Sequence, residues 1–230
     1  MLDLIKRSLE RLPAGFGEIR IEKKLLSLIE LSNAKIETIS KKEVRNASVR
    51  LLKNGQWGFI SFTDVDDLDR YIRTVLENTS RISPYSRIKR EVVSHPKVNG
   101  HFRTQFTLDP FSRSLEEKHA LLTGYDGILQ GFKKLINRKL TYVERKEESY
   151  YGNTEGSLVS QEKVFTGLSV NAVARDGNNI QMSPDSWGGY SGYEIVQGHE
   201  QEMEHIGRTA EDLLKARMLD GGHYEEVLDP

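Results

Sequence analysis

The sequence predicts an α+β fold in which antiparallel or mixed β-sheet meanders pack against helices. Three observations indicate it. Ala47–Phe62 has apolar residues on both sides of Asn54-Gly55, which is the strongest short-range signal of a β-hairpin. A helical pattern follows directly from Thr63, and Arg175–Asn179 is a second hairpin turn between alternating strands. Long hairpins that alternate with separate amphipathic helices are typical of α+β domains.

The first half begins with a helix over Asp3–Leu12, where apolar residues recur with a helical period. Strict alternation over Glu18–Glu22 then predicts a half-buried strand, and the alternation continues loosely to Leu31. A second strand starts over Lys35–Ile39. With the two strands of the hairpin, this half is predicted to form a meander of four strands.

The hairpin itself requires positive φ at both central residues of a type I′ turn, which Asn54 and Gly55 tolerate. Gly58 indicates a close approach of backbone, a bulge, or room for the Trp57 indole over the opposite strand. Thr63-Asp64 caps the following helix, and one face of that helix is apolar and predicted to pack on the sheet. That face contains Val65, Leu68, Tyr71, Ile72, Val75 and Leu76.

An extended connection with at most short strands is predicted over 83–113, because this segment contains three prolines and little periodicity. Ser114 and Glu117 form a capping box for a helix from Leu115 to about Ile136. The predicted division is therefore 1–82, a β-meander plus helix; 83–113, the connection; and 114–230, helix, hairpins and helix. The whole chain can also form a single domain.

The second half predicts strands over Leu140–Glu144 and Glu148–Tyr151, a turn at Asn153–Gly156 and a long strand over Val159–Ala174. A final helix is predicted over His199–Leu219. A further strand begins in the tail at 225–230, so we expect the chain to be incomplete.

Composition excludes several classes of function. The chain has 33 Lys and Arg residues against 34 Asp and Glu residues, so it has no net positive charge that would attract nucleic acid or an anionic membrane. Cysteine is absent, which excludes disulfides, thiolate metal sites and cysteine nucleophiles. No apolar run approaches 18 residues, and the N-terminus is not a signal peptide. We expect a cytoplasmic protein without a nucleic-acid or membrane partner.

Candidate catalytic residues are few. His199, Glu200 and His205 resemble a helical zinc site, but two ligand histidines on a helix should be four residues apart, and these are six apart. A solvated helix face is the favoured interpretation. His95, His101 and His119 have no ligand-type spacing, and the sequence shows no phosphate-binding loop. We therefore predict no catalytic residue and no metal ligand in this chain.

Trp187 and Tyr190, in the Gly-rich stretch Ser186–Gly192, are the candidate substrate-binding residues. Roles in a turn or in the core are the alternative for both.

Three stretches resemble the N-terminal domain of the TldD/PmbA family, zinc metallopeptidases once described as modulators of DNA gyrase. Ser48-Val-Arg50 followed by Asn54-Gly55-Gln56-Trp57-Gly58-Phe59-Ile60-Ser61 is similar to the family's G-x-R and D-G-x-W-G-F-A-S hairpin, with Ser48 where a glycine is common. Tyr151-Gly152-Asn153-Thr154-Glu155-Gly156 is similar to its N-S-x-G turn, with Thr154 in place of serine. The tail Ala210–Pro230 resembles the passage into the catalytic half.

The resemblance implies that the His-Glu-x-x-x-His zinc motif lies beyond Pro230, so zinc belongs to a missing C-terminal half. It implies that this part walls a cleft for short or unfolded peptides and pairs as a homodimer or as a heterodimer with a related subunit. The residues that carry the motifs are expected to maintain the fold: Arg50, Gly55, Trp57, Gly58, Asn153 and Gly156. Two alternatives stay open: a non-catalytic adaptor of the gyrase-modulator type, and an enzyme that uses the His199 cluster.

Overall fold

One seven-stranded sheet with four helices forms the architecture in the computed structural model, which describes residues 1–12, 15–85, 90–93, 95–217, 221–223 and 225–227. The strands are β1 (Phe16–Ser32), β2 (Lys35–Lys53), β3 (Gln56–Phe62), β4 (Asn99–Arg103), β5 (Leu135–Asn153), β6 (Leu158–Asp176) and β7 (Asn179–Gly189). The helices are α1 (Leu2–Glu10), α2 (Leu68–Ile82), α3 (Leu115–Gln130) and α4 (Glu200–Leu213). The α+β prediction is confirmed.

The strand order is β3-β2-β1-β5-β6-β4, and β7 also pairs with β6. All pairs are antiparallel except β4 with β6, which is parallel. The central pair, β1 with β5, joins the two halves of the chain into a single sheet. The division of the chain at 82 and 114 stays a prediction.

Four details of the predicted elements are wrong. The first meander has three strands, because β2 runs unbroken from Lys35 through the hairpin, and β5 is likewise one strand where two were expected. Helix α3 ends at Gln130, and Ile136 belongs to β5. In the predicted tail strand, residues 225–227 have no regular structure, and 224 and 228–230 lie outside the described residues. The predicted connection over 83–113 was expected to contain at most short strands, and the five-residue β4 agrees with this; its residues 86–89 and 94 lie outside the described residues.

All four helices pack on the same face of the sheet, called here the helix face. Ile19 and Ile21 of β1 belong to one apolar cluster with α1 and α2, while Ile29 and Leu31 belong to a second with α3 and α4. These four residues are all at odd positions of β1, whose pairing with β5 is continuous, so their side chains point the same way. The opposite face, called here the open face, carries no helix among the described residues.

A charged strip separates the two apolar clusters on the helix face. Lys23 and Arg45 both pair with Glu43, and Lys146 pairs with Glu148 and Glu162. These cross-strand and same-strand pairs allow strands of up to 19 residues to pass from one core to the other without a buried unpaired charge. Two cores therefore share one sheet.

Glu194 fastens the end of the connection to the segment after β7. Its carboxylate accepts hydrogen bonds from the backbone N–H of Thr107 at 3.1 Å and of Leu108 at 2.9 Å, and from the hydroxyl of Ser191 at 3.1 Å. Burial raises the pKa of Glu194, but these bonds outweigh it and lower the pKa from 4.5 to about 2.

Because its pKa is lowered on folding, the ionised Glu194 carboxylate stabilises the folded state at pH values above 4.5, the pKa of the unfolded chain. This contribution to the free energy of unfolding is lost as the pH falls from 4.5 towards 2. We expect Glu194→Gln to lower the free energy of unfolding at pH 6, because an amide cannot accept all these bonds. The difference from the unaltered chain should shrink between pH 4.5 and pH 2, as measured by urea denaturation. A difference that is constant across this range would contradict the assignment.

Candidate functional site

The β2–β3 hairpin positions two of the motif residues on the open face. Asn54 and Gly55 have φ of 51° and 76°, so the predicted type I′ turn is confirmed. Arg50 pairs with Phe59, and Trp57, paired with Leu52, lies two residue pairs nearer the turn on the same face. The Arg50 guanidinium lies 4.7 Å from the centroid of the Trp57 ring, and Phe16 contacts the same ring edge-on. Both the arginine and the indole remain exposed to solvent.

A row of hydrogen bonds continues from Arg50 across three strands. Arg50 Nε lies 2.7 Å from Glu18 Oε1, and the Tyr151 hydroxyl donates to Glu18 Oε2 at 3.1 Å. Asn153 Nδ2 donates to the same tyrosine oxygen at 3.3 Å. Burial, opposed by the hydrogen bond from Asn153, raises the pKa of Tyr151, so its hydroxyl stays protonated and donates to Glu18. The guanidinium is thus held in place on one side by Trp57 and on the other by Glu18.

The turn at Asn153–Gly156 closes this end of the sheet. Asn153 Oδ1 accepts the backbone N–H of Ser157 at 2.9 Å, and Gly156 has φ of +93°, a conformation that favours glycine. Thr154 exchanges two bonds with Gly17: its N–H donates to the Gly17 carbonyl, and its hydroxyl accepts the Gly17 N–H. A threonine hydroxyl therefore makes the contact at the position where the motif commonly has serine.

Arg50, Trp57, Glu18, Tyr151 and Asn153 line a groove of about 490 Å³ on the open face, named here the Arg50 groove. Residues 91–93 and 95–98 form its other wall. On either side of this wall, Arg90 N–H donates to the Gly55 carbonyl and Leu158 N–H donates to the Val98 carbonyl. The described lining is Phe16, Glu18, Arg50, Trp57, Glu91, Val92, Val93, His95, Pro96, Val98, Tyr151, Asn153, Glu155, Ser157 and Val159. A second cavity of about 620 Å³ lies across the same turn, beside α1.

The structure thus brings three of the six motif residues, Arg50, Trp57 and Asn153, to one groove. Gly58 faces the other way, towards α2, where a Cβ atom would lie 1.9 Å from Thr79 Oγ1. Glu18 and Tyr151 were missed as site residues. Tyr151 could have been found, since it lies two residues before Asn153 and so shares its face of the strand. Glu18 has no such signal, because its pairing with β5 is set by tertiary structure.

Chemically, the groove is suited to binding. It combines apolar and aromatic walls with a guanidinium, a phenol and an amide, which can hold main-chain carbonyls or a carboxylate. The Ser157 hydroxyl in its lining accepts the Val98 N–H, and no hydrogen bond among the described lining residues joins this hydroxyl to a base that could activate it.

A metal does not fit the residues present. His199 stacks on Trp187 with ring centroids 4.2 Å apart, and its Nε2 bonds the Ile195 carbonyl at 3.0 Å. His205 is exposed on α4 and contacts Thr209. In the part of the chain that the structure describes, no three His, Asp or Glu side chains converge as metal ligands.

Trp187 and Tyr190 do not share a surface. Trp187 pairs with Leu168 and packs on the helix-face core, where it is half-buried. Tyr190 contacts Phe165 and Lys163, which lie on the open face, and it is 55% exposed. A substrate contact at either residue stays a prediction, and each has to be tested by itself.

No helix among the described residues is long and apolar enough to cross a bilayer.

Two family models match successive parts of the chain. PmbA/TldA metallopeptidase domain 1 matches residues 17–79, which contain the hairpin, and the PmbA/TldA metallopeptidase central domain matches residues 108–218. The matched regions include the Arg50 side and the Asn153 side of the groove respectively.

Curated relatives carry the name metalloprotease. One from Methanothermobacter thermautotrophicus is 25% identical over 225 residues, which cover 94% of this chain and 47% of the relative. One from Synechocystis is 24% identical, with the same coverage of both chains. The chain therefore spans about half the length of the curated relatives it matches.

Solved structures show the same fold. A protein from Thermotoga maritima described as a modulator of a DNA gyrase superposes with a TM-score of 0.79 at 15% identity, covering 96% of this chain and 50% of that one. TldE from Thermococcus kodakarensis superposes with a TM-score of 0.65 at 16% identity, covering 91% and 46%. With both family models matched in order along a single sheet, the chain belongs to the PmbA/TldD metallopeptidase family.

Proposed function

We propose that this chain is the non-catalytic half of a PmbA/TldD metallopeptidase and forms one wall of a cleft that holds short or unfolded peptides. Hydrolysis would be carried out by a zinc-containing half outside this sequence. The observation that carries the proposal is the convergence of Arg50, Trp57 and Asn153 on one open groove. Residues from both matched family domains contribute to it.

The chemistry of the Arg50 groove supports a peptide as the ligand. Trp57 and the three valines Val92, Val93 and Val98 offer apolar contact to side chains, while Arg50 and Asn153 offer donors to main-chain carbonyls. Arg50 is already oriented by Glu18 and Trp57, so little conformational entropy is lost when a ligand binds it. A rigid donor beside an exposed aromatic ring is typical of residues that contribute much of a binding energy.

The side chains available as metal ligands support a catalytic centre outside this chain. The described residues do not assemble a metal site, and the family's name implies use of a metal. We therefore assign no step of hydrolysis to this chain, and no role in it to His199, Glu200 or His205. We further propose that the chain acts in the cytoplasm, in keeping with its lack of cysteine, and pairs with a second subunit of the same family.

A second candidate is an adaptor that acts on another protein without peptide hydrolysis. The observation that favours it is the description of the Thermotoga maritima structural neighbour as a modulator of a DNA gyrase. A near-neutral net charge of −1 argues for contact with protein rather than DNA. This candidate predicts capture of one folded partner and no affinity for unfolded peptides.

The two tryptophans allow the peptide proposal to be tested directly. In Trp187→Phe, Trp57 is the only tryptophan that remains, and it lies in the groove. We expect tryptophan-free decapeptides without fixed structure to change its emission saturably. Arg50→Gln should weaken this binding about tenfold, since a hydrogen bond to a charged group contributes about 1.5–3 kcal/mol.

The matched control is Arg20→Gln. Arg20 lies on the neighbouring strand β1 and on the same open face, is paired with Glu22, and does not line the groove. Its replacement should leave peptide affinity unchanged. In the reciprocal variant Trp57→Phe, the emission of Trp187 is measured instead. If peptides change the emission of Trp187 but not that of Trp57, the peptide binds at the predicted Trp187 contact and not in the Arg50 groove. No response from either reporter would contradict peptide binding by this chain.

A further inference from the structure

One edge of the sheet is left without a partner strand over a long distance. β2 runs from Lys35 to Lys53, but β3 pairs with it only from Ala47 onwards. Residues 35–46, named here the β2 edge, pair with β1 on one side and with no strand of the described chain on the other. At about 3.4 Å per residue this leaves roughly 40 Å of edge.

The backbone of the β2 edge is therefore able to accept another strand. Every second N–H and C=O of an edge strand points away from the sheet, and these groups form a template for strand addition. β3 turns away at Phe62, where Asp64 caps the 3₁₀ turn (Val65–Asp67) that leads into α2. A strand added beside residues 35–46 would thus continue the line of β3.

The charge of the β2 edge is positive. It carries Lys35, Lys41, Lys42 and Arg45 against Glu37 and Glu43. Arg45 and Lys23 both share Glu43, whereas Lys41 and Lys42 have no ion pair among the described residues. The two lysines lie on opposite faces of the strand, so they flank an added strand from both sides.

Two isoleucines on the same edge add apolar surface. Ile36 is 45% exposed and Ile39 is 50% exposed, and they pair with the buried Leu31 and Ile29 of β1. They therefore extend the helix-face core to the rim of the sheet. Apolar side chains of an added strand would cover them there.

We propose that the β2 edge binds an extended acidic segment of the substrate polypeptide by strand addition. The inference rests on the proposed peptide-binding function and gives it a second contact and a chemical preference. Main-chain bonds supply affinity for any extended chain, and Lys41 and Lys42 select acidic side chains. A second copy of the same edge is disfavoured, because its lysines would meet these lysines.

The test uses fluorescein-labelled twelve-residue peptides of alternating valine and glutamate, or valine and lysine, with anisotropy as the measurement. We expect the acidic peptide to bind the unaltered chain at least tenfold more tightly than the basic one. Lys41→Glu with Lys42→Glu should reverse this order. The matched control, Arg103→Glu with Lys133→Glu, makes the same change of charge at two exposed cations far along the sequence and should preserve the order.

Main-chain pairing is tested without changing the protein. The acidic peptide with alternate amides N-methylated along one edge should lose at least tenfold in affinity. Bound unmethylated peptide should slow hydrogen exchange of backbone amides within residues 35–46. Equal affinity of the methylated peptide, or protection confined to the Arg50 groove, would overturn the inference and leave the proposed function standing.

The remaining outcomes are also decisive. If no peptide binds at all, the proposed function and the inference fail together. If sedimentation shows that the chain self-associates and Lys41→Glu with Lys42→Glu abolishes it, a second copy occupies the edge and the inference is overturned.

Discussion

Replacing Lys118 by methionine is expected to lower the free energy of unfolding by about 3–5 kcal/mol, because it leaves Glu144 as a buried charge without its partner. Lys118 Nζ lies 2.8 Å from both carboxylate oxygens of Glu144, and the side chains are only 7% and 3% exposed. The Tyr142 hydroxyl donates to the same carboxylate at 2.7 Å. Urea denaturation, followed by circular dichroism, measures the loss.

Replacing both members of the Lys118–Glu144 ion pair by apolar residues should lower the free energy of unfolding much less than removing Lys118 alone. We expect the triple variant Lys118→Met, Glu144→Leu, Tyr142→Phe to recover most of the lost stability, because no buried charge or unpaired hydroxyl remains. Breaking an exposed pair is the control: Lys215→Met removes the partner of Asp212 on the surface and should change stability by at most about 1 kcal/mol. A loss for Lys118→Met no larger than this would contradict the assignment of a buried charge network.

Gly58→Ala is expected to destabilise the chain by about 1–3 kcal/mol through overpacking between β3 and α2. A Cβ atom there would lie 1.9 Å from Thr79 Oγ1 and 3.0 Å from Val75 Cγ2. Because α2 is held by its own buried face, it cannot withdraw from the sheet without exposing Leu68, Ile72 and Val75. Thermal and urea unfolding measure the effect.

Gly124→Ala provides the matched control, since it makes the same chemical change where no atom lies within 4 Å. It lies in the interior of α3 and should stabilise the helix by up to about 1 kcal/mol. Adding Thr79→Ala to Gly58→Ala removes the nearest atom and should recover part of the loss. If Gly58→Ala were as well tolerated as Gly124→Ala, the close approach of α2 to the hairpin would be wrong.

Much of the local structure could be predicted from the sequence, because it depends on neighbours in the chain. The hairpin turn follows from the backbone freedom of Asn54 and Gly55, and its φ values are as expected. The capping box of Ser114 and Glu117 is present, with bonds of 3.1 and 2.7 Å. Helix α2 buries one apolar stripe against the sheet, as its period predicted.

Errors occurred where distant partners override local patterns. The middles of β2 and β5 carry consecutive charges, which locally predict a break between short strands. Cross-strand ion pairs such as Lys23 with Glu43 and Lys24 with Glu147 keep these strands continuous. The end of α3 was placed too late, because the apolar run through Ile136 continues past Gly131 into a strand.

The sequence by itself determined the α+β class, the turns, the helix starts and the family resemblance, since each depends on residue types at short spacing. Only the tertiary structure decided that β1 pairs with β5, which brings Arg50 of the first half to Glu18, Tyr151 and Asn153. It also decided that Trp187 and Tyr190 lie on opposite faces and that residues 35–46, which pair with β1 on one side, have no strand of the described chain on the other side. Strand order and register depend on which apolar surfaces are buried together, and that is a property of the whole chain.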